Sequence, residues 1–180
     1  MKNLSRLALV AVTTAGLALG LAACGGGKTG GKASTDSSSL VTNTSAAPQA
    51  SGSFGSVVTL PSKVAFTINK LAVFKPTSFS AGQIDGQTYN SFEIAVKNGS
   101  SAALDLSTLI LTTTTVSDGA CVDIFDGQVG LAGAPSEMVV VGGTATFKWA
   151  VSCPGKSGDP LTISMTTDGT TNVEVKGKLA

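Results

Sequence analysis

Three aspartates, Asp118, Asp123 and Asp126, gather around Cys121 in a turn-rich stretch and form the one local acidic cluster of the 180-residue chain. Carboxylates are what remains for acid–base chemistry, because the sequence contains no histidine. That removes Ser-His-Asp and Cys-His hydrolases together with histidine-bound zinc or copper. Neither a Ser-x-x-Lys nor a Gly-x-Ser-x-Gly motif supplies a nucleophile instead. Two acids flanking a sugar bond would support glycoside hydrolysis. Asp118, Asp123 and Asp126 are also the metal candidates, as oxygen ligands for Ca²⁺, although their spacing lacks the EF-hand series and its closing Glu. Aspartate in Asp-Gly turns needs no ligand to explain it, so neither a metal nor a cofactor is expected.

The remaining reactive side chains are three cysteines. Lys2 and Arg6 form a short basic region, residues 7–19 an apolar one too short to span a bilayer comfortably, and Leu21-Ala22-Ala23-Cys24 a small-residue cleavage site. That tetrapeptide resembles a bacterial lipobox. The resemblance implies a signal peptide over 1–23, cleavage before Cys24, and a diacylglyceryl group on its sulfur. Each buried methylene contributes about 0.8 kcal/mol, and two chains hold stably where one holds marginally. The expected partner is therefore the membrane, through a lipid anchor on Cys24, with the rest of the chain on the extracytoplasmic face.

With Cys24 so used, Cys121 and Cys153 remain as an even pair in an oxidising compartment and are expected to form a disulfide. Free thiols or a metal pair are the alternatives, without a further soft ligand to support the latter. Phe147, Trp149 and Val151 point one way along a strand, so Cys153 continues an inward face. Cys121 is expected to meet it across two sheets, in a buried bridge that pins the loop from Asp126 to Pro135.

From Cys24 to residue 56 the composition turns to Gly, Ser, Thr and Ala without apolar periodicity, the pattern of a disordered linker. As a coil it would span roughly 30 Å and stretch to roughly 100 Å. Within it, residues 26–33 approach a phosphate-binding loop, but Ala33 stands where the hydroxyl is required and no strand precedes the glycines. Without Lys2 and Arg6 the net charge of +1 becomes −1, and the lysines are scattered singly, so nucleic acid is not an expected partner.

Positioning these groups falls to residues 57–180. Val64, Phe66 and Ile68 alternate with polar neighbours, as do Phe92, Ile94 and Val96, and Ala145, Phe147, Trp149 and Val151, which is the period of a half-buried strand. Further strands are predicted at 57–60, 104–106, 108–116, 121–125, 138–141, 161–165 and 173–175. Turn signals such as Asp85-Gly86, Asn98-Gly99, Asp126-Gly127 and Gly142-Gly143 separate them. No amphipathic helix follows the signal, so the fold class is all-β, an antiparallel β-sandwich of about 120 residues.

The strand Phe92-Glu93-Ile94-Ala95-Val96-Lys97 running into Asn98-Gly99-Ser100, then Leu104-Asp105-Leu106, then Val141-Gly142-Gly143-Thr144 feeding Phe147-Lys148-Trp149, resembles the Ig-like lipoproteins of actinobacteria and related Gram-positive bacteria. These are grouped with an immunoprotective extracellular antigen superfamily. The likeness covers about 63–167. It implies an immunoglobulin-like sandwich and brings no agreed activity. The Cys121 and Cys153 pair is not expected across that family, and Trp149 sits just before the second cysteine, unlike an antibody domain.

Trp149 shares a face with Phe147 and Val151 and is expected in the core; Tyr89 fits either packing or sugar stacking. Residues 112–115 are threonines suited to an exposed strand. Lys97, Lys148 and Glu93 fall on polar strand faces, where they discourage edge pairing or form surface pairs. The expected function is a non-catalytic, surface-tethered binding module for a cell-envelope protein or polysaccharide, with its specificity in the long loops 74–88 and 120–137. The alternative is a carboxylate-dependent envelope hydrolase acting on polysaccharide.

Overall fold

A computed structural model describes residues 48–116, 119–167 and 171–180. The signal peptide, Cys24, the linker up to residue 47 and Asp118 lie outside the described residues. Among those described, no helix is long and apolar enough to cross a membrane.

Among the described residues ten strands form two packed sheets: β1 (Ala50–Ser53), β2 (Val57–Thr59), β3 (Val64–Ile68), β4 (Ala72–Val73), β5 (Thr88–Asn98), β6 (Ile110–Thr115), β7 (Val122–Asp123), β8 (Thr144–Cys153), β9 (Pro160–Thr167) and β10 (Thr171–Lys178). One sheet runs β1-β10-β9-β6; the other runs β2-β3-β5-β8-β7, with β4 also on β5. The alternating residues are what bring the sheets together. Phe66, Ile68, Ile94, Val96 and Val151 from one face Leu161, Ile163, Met165, Val173 and Val175 from the other, all essentially buried. Full burial of each such side chain contributes about 1.5–3 kcal/mol against exposure.

Two departures from the sequence reading concern the N-terminal boundary and strand direction. Residues 50–53, assigned to the linker, form β1, so the folded domain begins before the predicted residue 57. The strand pairs with β10 in parallel, Ala50 opposite Val173 and Ser53 opposite Lys176, in a sandwich otherwise antiparallel. Ala-Ser-Gly-Ser carries a single small apolar side chain, Ala50, which packs against the core but is too little to give a period; main-chain pairing supplies most of what holds the strand. Phe54 then turns its ring onto Gly177, where a Cβ would stand 2.0 Å from the ring. Conversely, the apolar run 138–141 is no strand. It makes one bridge, Val139 to Leu104, and exposes Met138, Val140 and Val141.

The registers define two ends. The chain enters at the end where Ala50 lies by Val173. At the opposite end β8 finishes at Cys153 opposite Thr88, and residues 154–159 lead directly into β9. Loops 74–88 and 120–137 both start at that far end.

Candidate functional site

Both long loops fold back over the outer face of the β5–β8 sheet. There Ile124, Leu131 and Ala150 make a second small core, with Phe74 and Tyr89 against it. Tyr89 is thus a packing residue, and its hydroxyl donates to the Ile84 carbonyl at 3.0 Å. Ala81 and Phe125 exchange both backbone hydrogen bonds at 2.9 Å, joining one loop to the other.

Asp126 is the centre of this junction. Its side chain is fully buried. Oδ2 accepts from Ser80 Oγ at 2.5 Å, from Thr77 Oγ1 at 2.8 Å and from Thr77 N at 3.2 Å, while Oδ1 accepts from Gln128 N at 3.2 Å. The last of these caps the 3₁₀ turn Gly127–Val129. Its backbone pairs with Leu131 in both directions at 3.0 Å. The Ser80 hydroxyl first, then the Thr77 and Gln128 donors, hold its carboxyl below the ordinary value despite burial. An aspartate whose two oxygens together accept four hydrogen bonds organises loops.

Asp123 lies apart, on the inward edge of β7, where Trp149 Nε1 donates to its Oδ1 at 2.9 Å. Burial pushes its carboxyl up, and the indole hydrogen bond partly opposes this. Among the described residues no group of three metal-ligating side chains exists. Trp149 itself is 8 % exposed in the main core and meets Phe147 edge-on at 6.4 Å between ring centroids.

Cys121 and Cys153 form a disulfide, with Cα atoms 4.3 Å apart. The bridge is not across the sheets, as expected, but between neighbours in one sheet. Val122 pairs with Ser152, so Cys121 falls opposite Cys153 on the next step of the same ladder, at the short spacing of a non-hydrogen-bonded antiparallel pair. Cys121 does reach the other sheet through its backbone, donating to the Thr113 carbonyl at 2.8 Å. The bridge fixes the root of loop 120–137; Asp126, and not the disulfide, pins the stretch from 126 to 135.

The threonine run does not present one hydroxyl ladder. Thr112 and Thr114 face solvent, whereas Thr113 and Thr115 are buried. Two residues that the sequence reading passed over as functional organisers are Thr77 and Ser80, whose only signal was membership of a long loop. A third is Asn98, read as a turn residue. It is fully buried, donating to Ala102 O and Val139 O at 2.8 Å and accepting from Ser100 Oγ at 2.6 Å, and so fixes the loops at the end where the chain enters.

The surface built on Asp126 exposes Phe79 (69 %) and Phe125 (47 %). Beside it, a groove of about 680 Å³ runs between residues 129–136 and the outer faces of Glu93, Thr146 and Lys148.

No protein-family model matches the chain, and no curated protein does. Solved structures do. The ycdA protein of Bacillus subtilis, a candidate lipoprotein, matches with TM-score 0.53 at 14 % identity, over 73 % of this chain and 39 % of its own. This chain thus spans about two fifths of that protein. The yjhA protein of the same organism matches with TM-score 0.51 at 14 % identity, over 69 % of this chain and 98 % of its own. MPT63, a secreted protein of Mycobacterium tuberculosis, aligns at 15 % identity over 74 % of this chain and 99 % of its own, with TM-score 0.46. The two Bacillus likenesses concern architecture: the chain shares its sandwich fold with these proteins.

Proposed function

We propose that this chain is a surface-tethered lipoprotein, anchored through Cys24, whose sandwich is a non-catalytic binding module of the cell envelope. The observation that carries the reading is the buried Asp126: a carboxylate accepting four hydrogen bonds serves to fix two long loops, and fixed loops with exposed aromatics bind without paying ordering entropy on contact. Those loops start at the end of the sandwich opposite the one where the chain enters. The fold likeness to a candidate lipoprotein supports the address. A hydrolase of envelope polysaccharide would rest on Asp123, whose pKa is raised, but its partner Trp149 is a core residue and, among the described residues, no second carboxylate shares its hydrogen bonds.

The test places a photo-cross-linking phenylalanine analogue at Phe79 or, as control, at Thr112 on the opposite sheet, in intact cells. Adducts confined to position 79 support the module, and equal labelling at both positions overturns it. The anchor is tested separately: Cys24→Ala should abolish acyl labelling and leave precursor or released domain, and equal labelling of both forms would remove the tether.

A further inference from the structure

We propose that the open edge of β8, from Thr144 to Lys148, is a docking channel for one extended peptide strand, added beside β8 as a new member of the sheet. This deepens the binding-module reading and rests on it. The register carries the argument. Asn98 N donates to Gly143 O at 2.9 Å, so in the ladder that follows Ala145, Phe147 and Trp149 exchange hydrogen bonds with β5. The main-chain groups of Thr144, Thr146 and Lys148 therefore point the other way. The neighbour on that side, β7, pairs only with Val151 and Ser152, and its continuation reaches only Ala150 O, from Ile124 N at 2.8 Å. Among the described residues nothing takes up the outward N–H and C=O groups of Thr144, Thr146 and Lys148.

The space beside this edge is a channel. The segment from Val129 to Met138 runs along it without bonding to it, leaving the groove of about 680 Å³ and a continuation of about 330 Å³ that share Pro135 and Thr146 in their walls. That wall determines the occupant. It stands between the edge and the flank of a second folded sheet, the usual hazard of an open strand. Alternating N–H and C=O groups at strand spacing are matched by another backbone in extended form. Side chains set its pattern. Ala145 and Phe147 face the core yet stay half-buried because no strand covers them, so alternate peptide residues are apolar. Lys148, which has no ion pair among the described residues, stands exposed on the other face and favours an acidic residue between them. The partner is thus an extended segment of another protein, apolar and acidic by turns.

Amide exchange in the full chain, read by NMR, tests this with a capped nonapeptide alternating valine with aspartate or threonine. Saturating peptide should slow exchange at Thr146 and Lys148 by about tenfold or more, as ladder bonds do. Thr146→Pro removes an outward N–H without touching the β5 ladder and should weaken binding by about tenfold. Should that variant not fold, N-methylation of alternate peptide amides in the bonding phase must abolish binding to the unaltered chain. Undiminished binding to a folded Pro variant, or by the methylated peptide, overturns the proposal. So does an absence of slowing at 144–148. Peptide-induced shifts confined to Phe79 and Phe125 would sink this channel while sparing the module, and slowing produced by raising protein concentration alone would assign the edge to a second copy.

Discussion

Removing the Cys121–Cys153 bridge is the perturbation whose size follows most directly from the fold. The cysteines are separated by 32 positions. In the chain-entropy treatment a closed loop of that length costs the unfolded state about 12 cal/mol/K, or about 3.7 kcal/mol at room temperature. A domain of roughly 130 residues unfolds with about 2.1 cal/mol/K per residue, so this stabilisation corresponds to a Tm difference of about 14 °C. The variant should be Cys121→Ala with Cys153→Ala, because Cys153 is fully buried and a serine there would add an unpaired hydroxyl to the core. Thermal and urea unfolding followed by circular dichroism give two readouts. Tm should fall by about 14 °C, and the urea m-value should rise, because an uncrosslinked chain exposes more surface when unfolded. A Tm loss below about 4 °C, equivalent to about 1 kcal/mol, would refute the role assigned to the bridge. A large loss with an unchanged m-value would refute the entropic mechanism and locate the effect in native packing.

Asp126→Asn can keep its one oxygen toward the Thr77 and Ser80 donors only by turning its amino group onto the Gln128 N–H, and it loses the charge that strengthens all four bonds, so exchange at Ala81, Phe125 and Leu131 should accelerate by about tenfold or more while β9 and β10 stay protected; unchanged rates at those amides would remove Asp126 as the loop organiser. Because its folded pKa lies below 3.8, the carboxylate's contribution is present above that pH and lost as pH falls through the lowered value, so the urea midpoint of wild type should converge on that of the Asn variant at the acid end. Asp123 has the opposite sign: its folded pKa is raised, so stability linked to it is complete below 3.8 and declines as pH rises through the folded value. The lone tryptophan reports that step, and a Trp149 fluorescence titration should have a midpoint above 3.8 that Asp123→Asn abolishes; a midpoint at or below 3.8 contradicts the burial argument. A chain begun at Val57 lacks β1 and leaves the β10 edge bare, so it should have a lower urea midpoint than one begun at Pro48 and a stronger tendency to aggregate, and equal midpoints would show β1 to be dispensable.

What could be read from sequence divides along one physical line. Strands that bury one face declare themselves, because Phe66 and Ile68, or Phe92 and Ile94, must alternate to reach the core. β1 and β4 bury little, are held by main-chain bonds, and leave no period to read. The run 138–141 has the composition of a strand, but among the described residues only Val139 of the four finds a bridge partner, Leu104, and the want of a neighbouring strand is invisible locally. The site follows the same division. Asp126 was legible as a turn aspartate; its burial depends on Thr77 and Ser80, 49 and 46 positions upstream, which no spacing rule connects. The pairing of Cys121 with Cys153 followed from parity and compartment, whereas its place within one sheet required the register of β7.

The parallel strand at the start of the domain also has a mechanical meaning. Tension applied to the chain ahead of Ala50 pulls along the axis of β1, against β10, which pairs with it over four consecutive positions. Load in that direction is shared by the whole ladder at once, as in a lap joint, whereas a strand peeled sideways yields one bond at a time. Behind it the ring of Phe54, seated on Gly177, acts as a toggle that must be dragged through the joint before β1 can slip. The first strand of the domain is thus built to resist being pulled off its own sheet.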